Sequence, residues 1–135
     1  MKAIQSPEPI TLNVEGSRGD PGLFSAESVL SLLKLIFAGV PLPEVLAIIA
    51  RLVESQGNGL LCTIWLPDDD GKHLHCAAAP SLPGFSDHVG HTTVGPKGAS
   101  CGTAVHRREP VYVSDIHTDP LWESYRDRML PYGIR

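Results

Sequence analysis

Cys101 is the residue best placed to do chemistry in this chain. It stands in Gly98-Ala-Ser-Cys-Gly-Thr-Ala104, with Gly95 just upstream. Glycines let a backbone bend sharply or come close to another group. A glycine-rich loop that feeds a helix presents free backbone N–H groups, which suit an anionic or carbonyl ligand. The pattern predicts a short helix from Ser100 to about His106, ended by Pro110. Its dipole would favour the thiolate of Cys101. The bland alternative is a small buried residue at a helix start, since free cysteine is often simply buried.

Other residues invite chemistry more weakly. Asp68, Asp69 and Asp70 could face a cation, but they lack the alternating spacing and distal Glu of a calcium loop. With Gly71 they read as a hairpin turn. His73, His75 and Cys76 resemble a metal set, yet in a strand the two histidines share one face and Cys76 takes the other. Solvent-facing histidines are the better reading, and no metal is assigned. Trp122 and Tyr125 stand about one helical turn apart, either on a pocket wall or in the core. Asp115 reads as a cap for the turn before the last helix.

The elements that must hold these residues follow from periodicity. Ser25 is an N-cap with Glu27 in the first turn, and Val29, Leu32, Leu33 and Ile36 line one face of a helix over 25–38. Pro43 opens a second helix to about Gln56, with Val45, Leu46, Ile49, Leu52 and Val53 on one face. Residues 60–66 read as a core strand, and 73–78 pair back on it across the Asp70-Gly71 turn. A short helix is expected at 85–89. Val111, Tyr112 and Val113 alternate as a strand, and a last helix runs from about Asp119, with Pro120 at its first position, to Leu130. Residues 1–22 are rich in Pro and Gly and read as a flexible leader. Within it Ile10, Leu12 and Val14 alternate as a weaker strand candidate.

Composition sets the outer bounds. The chain's 135 residues are enough for one domain with a real core. Fifteen acidic residues against 11 basic ones give a net charge of −4, which disfavours a nucleic-acid partner. No apolar run approaches the roughly 20 residues of a membrane span. The first residues lead into Gln5-Ser-Pro-Glu-Pro9, not into an apolar signal core. Three cysteines without a close-spaced pair suit a reducing, cytoplasmic location.

Three segments together resemble a GAF domain: the Cys101 loop, then Glu109-Pro-Val-Tyr-Val-Ser-Asp-Ile116, then Asp119-Pro-Leu-Trp122. Ala78-Ala-Pro-Ser-Leu-Pro83 fits the same subgroup, found in bacterial sensor histidine kinases and diguanylate-cyclase-type signalling proteins. The resemblance runs from about Leu42 to the end of the chain. It implies an α+β fold with a PAS-like antiparallel sheet and helices packed on one face, over residues 23–135. It also implies a pocket under the loops from Ala79 to Ser100. Ser100, Cys101, Gly102, Trp122 and Tyr125 are then the expected ligand-binding residues. Family members continue with further strands and a closing helix, so the resemblance implies a domain cut short of them. A gap would then separate the 60–78 hairpin from Val111–Val113 and expose sheet edges.

The function implied is sensory or regulatory: binding of an unidentified small molecule, homodimerisation through the first two helices, and coupling to a kinase or cyclase effector domain. The enzyme alternative is a free methionine-R-sulfoxide reductase using Cys101, with Cys62 and Cys76 upstream. In place of that family's aromatic strand, however, stands Cys62-Thr-Ile-Trp-Leu66. A ligand-free dimerisation module is the third reading. No cofactor is assigned. Gly102 follows Cys101 where bilin-binding members carry His, the cyclic-nucleotide motif is absent, and no histidine stands out as a haem ligand.

Overall fold

A computed structural model of the chain describes residues 25–134. The leader strand candidate Ile10–Val14 lies outside them. Helix α1, Ala26–Phe37, is capped by Ser25, whose Oγ accepts from the Ser28 N–H at 3.2 Å. Helix α2, Leu42–Glu54, has a proline in its first turn, where a missing N–H costs nothing. Val45, Ala50 and Leu52 of α2 are buried, and the helix packs against the second strand and α1.

The sheet is three-stranded and antiparallel, in the order β1-β2-β3, with β1 at Ile64–Pro67, β2 at His73–Ala78 and β3 at His91–Thr93. Gly71 turns the β1–β2 hairpin with a left-handed φ of 64°. Asp70 Oδ1 accepts from the N–H groups of Lys72 (2.7 Å) and His73 (3.1 Å), which fixes the turn. Along β2, Leu74, Cys76 and Ala78 are buried while His73, His75 and Ala77 are half-exposed. Trp65 stands opposite Cys76, and Leu74 opposite Thr92.

The core gathers Cys76, Leu82, Phe85, Val89, Ile116 and Met129. Phe85, in the short helix α3 (Phe85–His88), is its hub: the ring meets Trp65 and Tyr132 edge-on, with centroids 6.1 and 5.1 Å away. Helix α4 spans Ala99–Arg107 and packs on β3 and on a single 3-10 turn at Pro120–Trp122. Helix α5 is short, Arg126–Met129.

Several expectations are corrected. The strand expected from Leu60 begins at Ile64, and Leu60 and Leu61 are exposed. Val111–Val113 joins no strand among the described residues. Val113 packs against the core while Tyr112 is 91% exposed. The expected continuous helix over 119–130 is broken. Tyr125, at φ −118°, separates the 3-10 turn from α5, and Arg126 spends its guanidinium on the carbonyls of Ile116 (2.8 Å) and Asp119 (3.3 Å). On α1 the inward face is Leu32 and Leu35, whereas Val29, Leu33 and Ile36 of the expected stripe are exposed.

Candidate functional site

The site is built around α4 and β3. A Cβ at Gly98 or Gly102 would overlap the carbonyl oxygen of Thr93. Glycine spacing on α4 is therefore what lets this helix lie directly on β3. Thr92 Oγ1 donates to the Gly98 carbonyl at 3.0 Å and ties the loop down. Ala99 then opens the helix with a φ of 52°, a left-handed conformation uncommon for a residue with a Cβ.

This packing brings Ala99 and Cys101 to one small pocket, of about 20 Å³. Trp65 from β1 and Thr92 from β3 form its sheet side, and Trp122 and Tyr125 its opposite wall, with Val89 and Met129 at the core end. The two aromatic residues of the wall are pinned. Trp122 Nε1 donates to Ser100 Oγ at 3.1 Å. The Tyr125 hydroxyl bonds Thr93 twice, to the side-chain oxygen at 3.1 Å and from the N–H at 3.3 Å.

Of the five expected ligand-binding residues, Cys101, Trp122 and Tyr125 line the pocket. Ser100 holds Trp122 in place and is not itself on the wall. Gly102 faces the Thr93 carbonyl instead. Trp65, Val89, Thr92, Ala99 and Met129 complete the lining and were not among the ligand-binding residues expected from the sequence. Alternation on the β1–β2 hairpin is the signal that finds Trp65, because it pairs with Cys76 on the inward face.

The thiolate expectation for Cys101 is overturned. Burial pushes its thiol pKa up, and the nearby Cys76 adds to the rise. Desolvation penalises the charged sulfur more than a helix of three turns or fewer favours it. Burial likewise raises Cys76, and burial with the charge of Glu54 raises Cys62. At Tyr125 burial acts upward, but hydrogen bonds to Thr92 and Thr93 and the charge of Arg128 outweigh it and leave the phenol below its usual range.

The hairpin histidines pair with aspartates. His73 Nδ1 lies 2.6 Å from Asp70 Oδ2, and His75 Nδ1 lies 2.5 Å from Asp68 Oδ1. Among the described residues no three His, Cys, Asp or Glu side chains converge as a metal site would require. Asp115 caps its turn by accepting from the His117 N–H at 2.8 Å.

A family model for the GAF domain matches residues 40–133. The chain belongs to the GAF domain family. This GAF domain is 34% identical over 104 residues to the Methyl sulfide methyltransferase-associated sensor of Methanosarcina acetivorans. The alignment covers 76% of this chain and 10% of that protein, so the chain spans about a tenth of its relative's length. No solved structure matches the chain. The family match begins at Val40, so α1, which ends at Phe37, lies before it. Among the described residues no helix is long and apolar enough to cross a membrane.

Proposed function

We propose that this GAF domain is the sensory part of a signal-transduction protein. A small molecule bound between β3, α4 and the Trp122–Tyr125 segment changes how the domain self-associates, and a kinase or cyclase effector domain reads the change. The observation that carries this reading is the convergence of Cys101, Trp122 and Tyr125, from two separate segments, on one pocket. The name of the Methanosarcina relative, a sensor, supports the same class of role. Self-association is assigned to α1, which leaves Val29, Leu30, Leu33, Ile36 and Phe37 exposed. Three free thiols fit a cytoplasmic setting.

A purely structural dimerisation module is the reading favoured by the small pocket volume. The two separate by linkage, because a sensor's pocket and its dimer interface must share a coupling free energy. Cys101→Leu puts a larger side chain into the pocket and mimics an occupant. In a sensor it shifts the dimer dissociation constant about fivefold or more, the low end of ordinary coupling. Sedimentation velocity of both chains measures this. An unchanged constant would leave the structural module. The reductase reading has a weaker footing, because desolvation pushes the Cys101 thiol pKa up and so works against the thiolate that such an enzyme needs.

A further inference from the structure

We infer that the pocket is a site for a small uncharged apolar molecule, such as a dissolved gas, and excludes polar ligands. The inference rests on the sensory reading above and names the chemical class of its ligand.

Four lining residues carry an N–H or O–H in the side chain, and each is already engaged by the protein. Trp65 Nε1 donates to Thr63 Oγ1 at 3.0 Å. Trp122 Nε1 donates to Ser100, and the Tyr125 hydroxyl is shared with Thr93. Thr92 donates to the Gly98 carbonyl. The surface that the lining residues leave to the pocket is wholly apolar, with no polar atom exposed in it. A bound water needs two to four polar partners, and so does a polar ligand of similar size. Neither finds them here. An apolar molecule asks for none, and soft sulfur and aromatic surfaces give it close dispersion contact.

Volume sets the size. At about 20 Å³ the pocket holds little more than one water-sized probe. The occupant is therefore a single atom or a molecule of about two heavy atoms. A nucleotide, a bilin or an amino acid is far too large.

The test uses xenon as the probe, because it is apolar, monatomic and soluble under pressure. The methyl-labelled chain is titrated with xenon and followed by NMR. The expected result is saturable shifts at the Val89 and Met129 methyls, while the exposed Leu60 and Leu61 shift only linearly. Methanol at matched concentration should leave Val89 and Met129 unmoved. Both tryptophans of the chain line the pocket, so tryptophan emission should change along the same xenon isotherm. In Cys101→Leu the saturable component should be lost. The wild-type titration decides the matter even if that variant fails to fold. Linear shifts only, a methanol response equal to that of xenon, or a water cross-peak to the Met129 methyl would overturn the inference. Such failure leaves the sensory reading standing, since that reading is tested by the dimer constant. Conversely, xenon binding with an unchanged dimer constant would sink the sensory reading and keep the site.

Discussion

Cys101 shows how one residue's chemistry depends on which of two opposing effects is larger. Its place at the start of α4 favours the thiolate, and its burial beside Cys76 favours the thiol. Helix-end effects on a charge are typically 0.3–1 kcal/mol, less than about one pKa unit, while burial can shift a group by several. Burial wins. A titration of Cys101 by alkylation rate is therefore expected to give a midpoint above the ordinary thiol value of about 8.5. A depressed midpoint would restore thiolate chemistry at this position. Thiols raised in the folded state also give stability a sign. It is fully present below the unfolded thiol pKa and declines as pH rises through the folded values of Cys62, Cys76 and Cys101. Asp70 works at the acid end. Backbone donation from Lys72, then the His73 ring, holds its carboxyl below the usual range. Its contribution is present above about pH 4 and is lost as pH falls through the folded value. Asp70→Asn should flatten that part of the acid limb in a melting series, and an unaltered limb would show that the turn carries no such linkage.

Helix α4 makes the same point for an element. An alanine in a helix interior is ordinarily better than glycine by about 0.5–1 kcal/mol. At Gly102 the added Cβ would instead strike the Thr93 carbonyl. Overpacking of this kind costs about 1–3 kcal/mol, so Gly102→Ala should destabilise the chain despite the helix preference. Gly95, with open space where its Cβ would be, is the control, and Gly95→Ala should be near neutral. Equal denaturation midpoints for the two variants would mean that α4 does not depend on close approach. The glycines that mark α4 were readable in the sequence, although their partner was not. Strand β2 was equally legible, because Leu74, Cys76 and Ala78 alternate cleanly inward. Strand β3 was not, because His91-Thr-Thr93 is short, polar on both faces and carries no hydrophobic period. The segment after Asp119 read as one helix from local pattern alone. Tertiary bonds from Arg126 and Tyr125 override that propensity, and no local signal encodes them. The pocket was half legible for the same reason: Cys101 and Trp122 sit in readable motifs, whereas Val89 and Met129 reach it only through the fold.

For the whole molecule the open question is what α1 does. Apolar periodicity marked it as a helix, but periodicity could not say which side meets α2. The folded chain turns Leu35 inward at 4% exposure and leaves Phe37 at 88%. A monomer that kept this surface in water would carry five large apolar side chains on one short helix. Pairing of two copies along α1, as proposed, would remove them from water and account for a stripe that the core does not use. The two faces then make opposite predictions. Leu35→Ala should cost about 2–5 kcal/mol, a large part of the stability of a small domain. Phe37→Ala should change the intrinsic stability of the protomer by no more than about 0.5 kcal/mol, because it removes little from the fold. Association should respond the other way. The double variant Leu33→Glu, Phe37→Glu places charge on the exposed face and should run as a monomer in light scattering, with its helical content unchanged. Leu35→Ala, measured where it is still folded, should remain a dimer. If the unmutated chain is itself a monomer at the same concentration, α1 is not the dimer interface, and the exposed stripe must be met by another part of the protein.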